Sequence, residues 1–275
     1  MDFKSILLTL ISLSIGGISN AQGLYEWQVG IENHFQFNRS TLKNIDPASS
    51  IQNLPQQSFS GTEGVGFQLG FTRKVDSSRV LLHASLQHIF GNLISMGSLR
   101  DSNLQKEELL QTRQTHFKLG SGFQFKNFKL FAGPLLPLLT KSASRFYLED
   151  NTNKYYAVYD ISFKPSIGLW FAFDYSINVQ DKAVVFLGLG GQFLDRSIDK
   201  KSFKDLTILE GNQTLDNFAP NTYEKESIFL NEVNGNINNN VVNPSGVDFN
   251  RPRELQSQSY SFSSWYIQFG LRWKL

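Results

Sequence analysis

The 275-residue chain has no cysteine. That excludes disulfide staples, thiolate metal sites, cysteine nucleophiles and a lipid-modified N-terminal cysteine. Net charge is also scarce: 26 Lys and Arg stand against 24 Asp and Glu, leaving +2, so no overall field argues for nucleic acid and that partner class is set aside. Histidine is limited to His34, His83, His88 and His116, which show no metal-ligand spacing, so no metal site is expected. No cofactor site is expected either. A long apolar run is missing too. The best one, Ile6 to Ile18, falls short of the ~20 residues a helix needs to cross a bilayer.

That run has another use. Lys4 precedes it and Ser19-Asn20-Ala21 follows it, the form of an export signal cleaved after Ala21. Residues 1–21 are therefore expected to be a signal peptide, and 22–275 a single mature domain. An exported chain without a membrane-crossing helix can be soluble, or it can be a barrel whose membrane signal is spread over many short alternating strands.

What is abundant points to β-structure. There are 24 Phe, 9 Tyr and 4 Trp beside 21 Gly, residues that favour strands with close backbone approach. From Tyr25, apolar side chains recur at every second position through Trp27, Val29, Ile31, Phe35 and Phe37, with Glu26, Gln28, Gly30, Glu32 and His34 between them. This period of two marks strands. It returns at Val65–Phe71, Val80–Phe90, Phe117–Phe125, Tyr159–Phe173, Ala183–Phe193 and Tyr260–Leu275. A further stretch, Phe128–Leu136, alternates less cleanly, and Pro134 and Pro137 predict that its pairing fails towards one end.

Short and long connections alternate between these stretches. Asp76-Ser77-Ser78, Lys126-Asn127 and Gln180-Asp181-Lys182 are hairpin-sized, whereas 38–63, 91–114, 140–158 and 194–259 are long. An antiparallel up-and-down meander of about eight strands, with short periplasmic turns and long extracellular loops, fits this order. In the last connection, Ser202–Leu209 and Glu226–Val233 could form strands above the membrane, or an extra hairpin that makes ten. A soluble lipocalin-like barrel alternates as well, with its apolar set inward. Strand length, aromatics near strand ends and glycine on the polar face favour the transmembrane form, whose narrow interior suits small and polar residues.

The chain ends Gln268-Phe269-Gly270-Leu271-Arg272-Trp273-Lys274-Leu275. Gln268, Gly270, Trp273 and Leu275 resemble the signal that outer-membrane barrels present to the barrel-assembly machinery, with Leu275 standing where many such barrels have Phe. The mature sequence as a whole resembles the small outer-membrane barrels typified by the OmpA transmembrane domain and the PorT-like proteins. That resemblance implies the outer membrane of a Gram-negative bacterium and is unspecific for activity, because such barrels host adhesins, enzymes, anchors and pores.

Candidate chemistry is thin. His83-Ala84-Ser85 resembles the His-x-Ser pair of outer-membrane lipid A deacylases, but both side chains share the polar face without an evident carboxylate, so an interior hydrogen-bond role is expected. His88 lies on the apolar face, where an interfacial role is expected. The charged set Glu26, Glu32, His34, Lys74, Arg79, His83, Lys118, Asp160, Lys164, Arg272 and Lys274 is expected to pair inside the barrel. Arg39, Arg113, Arg145 and Arg196 are candidate contacts to lipopolysaccharide phosphates. No catalytic residue is assigned. The expectation is a barrel with a structural, accessory or surface-binding role, with lipopolysaccharide or an envelope protein as partner. A narrow channel and a lipid A-modifying enzyme are the alternatives.

Overall fold

The structure, a computed structural model, describes residues 25–36, 63–75, 78–101, 104–150, 153–210, 213–214, 221–231, 237–240, 245–257 and 259–275. The segment expected to be an export signal, Arg39 and nearly all of the 38–63 connection lie outside these residues. In chain order the elements are β1 (Tyr25–Gln36), β2 (Gly64–Lys74), β3 (Val80–Gly91), β4 (Ile94–Asp101), β5 (Leu104–Phe125), β6 (Phe128–Asp150), β7 (Asn153–Phe163) and β8 (Gly168–Asn178). There follow β9 (Ala183–Phe193), β10 (Asp195–Glu210), β11 (Gln213–Thr214), a one-turn helix α1 (Thr222–Lys225), β12 (Glu226–Leu230), β13 (Arg253–Gln256), β14 (Ser259–Ser261) and β15 (Ser264–Lys274).

Eight of these close a ring in the order β1, β2, β3, β5, β6, β8, β9, β15, with every neighbour antiparallel. Closure comes from β15 lying against β1, where Trp27 faces Trp273 and Gly30 faces Gly270. The barrel therefore has eight strands, and the ten-stranded alternative is not formed. Inward and outward residues alternate along each strand. On β3, Leu81, His83, Ser85, Gln87 and Ile89 are buried, while Val80, Leu82, Leu86 and Phe90 are 41 to 47% exposed. The pattern is that of a globular protein turned inside out: polar and charged residues fill the interior and large apolar ones cover the exterior.

The long connections after β3 and β6, and much of that after β9, are built strands. Beyond the rim, marked by the pair Phe90 and Arg113, β5 and β6 continue as one hairpin for about ten residues each, roughly 33 Å of strand. The outlying part of β5 pairs with β4, and that of β6 with β7. Next come β10 and β12, then β13 in parallel pairing. The result is a wall standing on one side of the barrel mouth, with β4 and β13 as its outermost strands among the described residues.

Three sequence expectations are corrected here. Pairing of the Phe128 stretch with β5 lapses at Gly133 and Pro134, as expected, but does not end there: it resumes and runs on to Asp150 past a bulge, because Thr115 pairs with Leu139 and His116 with Pro137, leaving Leu138 extra. The stretch Tyr159–Phe173 is two strands, broken over 164–167 around Pro165, and only the second, β8, belongs to the ring. Likewise Tyr260–Leu275 is broken at Phe262 and Ser263, so β14 pairs with β10 and β15 with the ring. Among the described residues no helix is long and apolar enough to cross a membrane.

One apolar cluster links barrel and wall. It runs from Leu81 and Phe131 past Trp170, Leu135 and Leu194 to Ile161, Ile198, Phe229 and Tyr260. The described residues after β9 and before β15 thus bury apolar side chains against the barrel mouth, which holds these parts of a polar-looking connection in place.

Candidate functional site: the filled lumen, its cap and the outer wall

Inside the barrel, charge is concentrated in three groups. On β1 the Glu32 carboxylate accepts a hydrogen bond from the Gln87 amide, stands 2.9 Å from His34 Nε2 and lies 3.5 Å from Lys118 Nζ. His34 Nδ1 is 3.0 Å from Ser264 Oγ, and His116 extends the chain of contacts through Gln87 and Gln114. The Lys118 ammonium also sits 4.5 Å from the ring centre of Tyr266. The second group is the Arg272–Asp174 ion pair. Arg272 Nε donates to Gln28 Oε1 at 3.1 Å and Nη1 to Ser176 Oγ at 2.9 Å, while Gln268 donates to the other Asp174 oxygen. The third is Lys129 with Glu26.

Such charges persist away from water only because each has a partner of opposite sign and further hydrogen bonds. Strand register supplies them. Gln28 and Arg272 are directly paired residues of the closing seam, while Asp174 and Ser176 reach Arg272 from β8, over the intervening strand β9. Glycines make room at one point. The Phe186 ring would be met by any side chain placed at Gly30 or Gly270, and the Arg272 guanidinium stacks 4.0 Å from that ring's centre.

Ser264, His34 and Glu32 stand in the order of a hydrolase triad. The arrangement differs from one in two ways. Ser264 is fully buried, so no substrate reaches its hydroxyl, and Glu32 is shared with Lys118 and Gln87. Its chemistry is that of a satisfied polar core. His83 and Ser85 also point inward, to Thr72 and Gln68 respectively, and His83 packs between Phe131 and Trp170. His88 faces outward, half-buried, 2.8 Å from Thr115 Oγ1. Among the described residues no group of three or more acidic or imidazole side chains gathers as a metal site would need.

The interior set expected from sequence is partly redrawn. Asp160 and Lys164 belong to the wall and cap, where Asp160 meets Lys204 and Lys164 meets the Phe229 carbonyl. Arg79 is exposed at the short-turn end. Asp174 and Lys129, which complete two of the three groups, were not singled out.

At the C-terminal strand, Gln268 and Gly270 face the lumen, while Trp273 and Leu275 face outward, 42 and 43% exposed. The outer rim carries cations. Arg113 is directly opposite Lys141, and Arg145 lies four pairs further out, opposite Leu109. All three are on the outward face just beyond Leu138 and Leu139, which are 40 and 50% exposed, and among the described residues none of them meets a carboxylate. Arg196 does not join them. It is 7% exposed beneath the wall, bonded to Thr140 and, at 3.2 Å, to the Lys164 carbonyl, with its guanidinium over Phe163. It fastens the cap, so the expected lipid contact is corrected for this residue.

Part of the Asn-rich stretch is ordered in the cap. Asn238 is buried and donates to the carbonyls of Asp248, Arg251 and Pro252 while its own oxygen accepts from the Asp248 amide. The neighbouring helix α1 is held by a reciprocal cap between Asn221 and Glu224.

Fold and site together define a closed, all-antiparallel eight-stranded barrel with a side-chain-filled, ionic interior, an apolar exterior and a β-wall on one rim. No protein-family model matches the chain, and no curated protein matches its sequence.

Proposed function

We propose that this chain is an outer-membrane β-barrel that anchors its wall and cap at the cell surface, where they serve a structural or partner-binding role. The observation that carries the reading is the height of the apolar exterior. From Val80 to Phe90 the outward residues of β3 span about 33 Å of strand, or about 25 Å when tilted as barrel strands are, which is the thickness a transmembrane barrel presents to lipid. The cation group Arg113, Lys141 and Arg145 then falls at headgroup level, where the bidentate fork of arginine suits the phosphates of lipopolysaccharide.

Three further points support an anchor. The export signal expected at residues 1–21 and the C-terminal residues Gln268, Gly270, Trp273 and Leu275 suit delivery to the barrel-assembly machinery. The interior is occupied by fully buried Arg272, Lys118, Tyr266 and Phe131, which argues for a post rather than a conduit. Among the described residues the wall leaves the edge of β4 unpaired, and an envelope protein could add a strand there.

Membrane fractionation combined with heat modifiability tests this. A protein recovered in the outer membrane, whose unboiled band migrates apart from the boiled one, is the expected result. Recovery from the soluble fraction without detergent would refute it. The functional half is tested by replacing residues 226–256 with a short linker: loss of a cell-surface or envelope interaction while the barrel still folds is expected.

A further inference from the structure

The opposite rim holds a feature that anchoring does not use. At the short-turn end of the β5–β6 hairpin, Phe123, Phe125, Phe128, Leu130 and Phe173 line an open outward groove of about 280 Å³. Four aromatic rings and one aliphatic side chain form its walls, and Phe128 stacks on Phe173 with ring centres 5.3 Å apart. The groove is therefore shaped by packed rings. Two cations stand at its mouth, both against the ring of Phe125. The Arg79 guanidinium is 5.5 Å and the Lys126 ammonium 5.6 Å from the centre of that ring. Both residues are exposed.

Lys126 also holds an unusual backbone. Among the described residues it is the one non-glycine with positive φ, 53°, in a two-residue turn where Asn or Gly is the ordinary occupant. A lysine kept in a strained position suggests that its charge is used.

Apolar groove and paired cations lie in the order of a lipid, tail towards the middle of the exterior band and headgroup at its edge. We propose that this site binds one anionic phospholipid of the inner leaflet, with an acyl chain along Phe123, Phe128, Leu130 and Phe173 and the headgroup phosphate between Arg79 and Lys126. The inference rests on the membrane reading above, which puts the short turns on the periplasmic side. Arg supplies a forked donor to the phosphate oxygens and Lys a point charge, so an anionic lipid is favoured over a zwitterionic one.

The test uses the full mature chain, folded in detergent, delipidated, and mixed with phosphatidylglycerol or phosphatidylcholine before native mass spectrometry. One phosphatidylglycerol retained with about tenfold preference is expected, falling to about twofold in the R79Q/K126Q double variant. Leu130→Trp, which fills the groove and leaves the cations, should lower retention of both lipids alike. Equal retention of the two lipids by a heat-modifiable barrel, or a preference unchanged in the double variant, would overturn the site and leave the barrel reading standing. A chain soluble without detergent would overturn the membrane reading, and the site with it.

Discussion

The Asp174–Arg272 pair sets the most demanding test of how the interior is held together. Both side chains are at most 1% exposed. Replacing Asp174 with Leu leaves the Arg272 guanidinium in the lumen with Gln28 Oε1, Ser176 Oγ and the face of Phe186, none of them charged. Removing one partner of a buried pair costs about 3–5 kcal/mol, because the remaining charge is uncompensated, and the Gln268 amide loses its acceptor as well. Against a folding free energy of about 5–15 kcal/mol, that is a large share. The assay is urea unfolding of the folded barrel in detergent, followed by tryptophan fluorescence with the heat-modifiable band as a second probe. The companion variant Asp174→Leu/Arg272→Met removes both charges and should recover at least half of the loss, since a well-packed apolar replacement of a buried pair is near neutral. A loss below about 1 kcal/mol in the single variant, or a double variant no more stable than the single one, would refute the claim that this pair is desolvated and mutually compensating.

Other predictions address the seam and the cap. Gly270→Val should abolish the heat-modifiable form, because a Cβ there would clash with the Val29 carbonyl oxygen across the closing seam. Asn238→Ala should raise the rate of protease cleavage within 245–257 by about 30-fold, the loss of about 2 kcal/mol of local hydrogen bonding, while the barrel's urea midpoint stays unchanged. Burial, reinforced by Glu108, pushes the Tyr260 phenol above its ordinary value. A group raised on folding contributes stability that is complete below the ordinary value of about 10 and is lost as pH rises beyond it. Cap proteolysis should therefore accelerate above about pH 10, and Tyr260→Phe should blunt that acceleration.

The ring was legible in the sequence because one rule, apolar outward and polar inward, holds along its strands, so Tyr25–Phe37 and Val80–Phe90 announce themselves. The wall obeys no such rule. Residues 104–113 and 141–150 carry charged and polar side chains among their apolar ones without that regularity, so they read as polar loop. The break between β7 and β8 was hidden by phase: Tyr159, Ile161 and Phe163 share parity with Ile167, Leu169 and Phe171, and only Pro165 signalled an interruption. Most of the interior network was visible, since Glu26, Glu32, Lys118 and Arg272 are charges in alternating strands. Asp174 escaped because it falls just past Phe173, where the alternating stretch was taken to end, and Lys129 because it sits in the irregular stretch after Asn127. Arg196 carries no mark that separates it from the exposed basic residues near it. Its burial is decided by β14 and Phe163, which arrive from distant parts of the chain.

The closing seam between β1 and β15 also constrains when this protein can fold. Arg272 and Gln28, which hydrogen-bond across it, are 244 positions apart, so the contact that completes the interior joins the beginning of the ring to its end. Loop-closure entropy for so remote a pairing is met late, and chains dominated by distant contacts fold slowly. Until β15 arrives, Asp174 has no guanidinium, β1 and β9 are open edges, and the barrel interior is exposed along the gap. The ring is thus bound to remain unclosed until β15 is in place, and this eleven-residue strand acts as the latch that turns an open ribbon into a barrel in a single step.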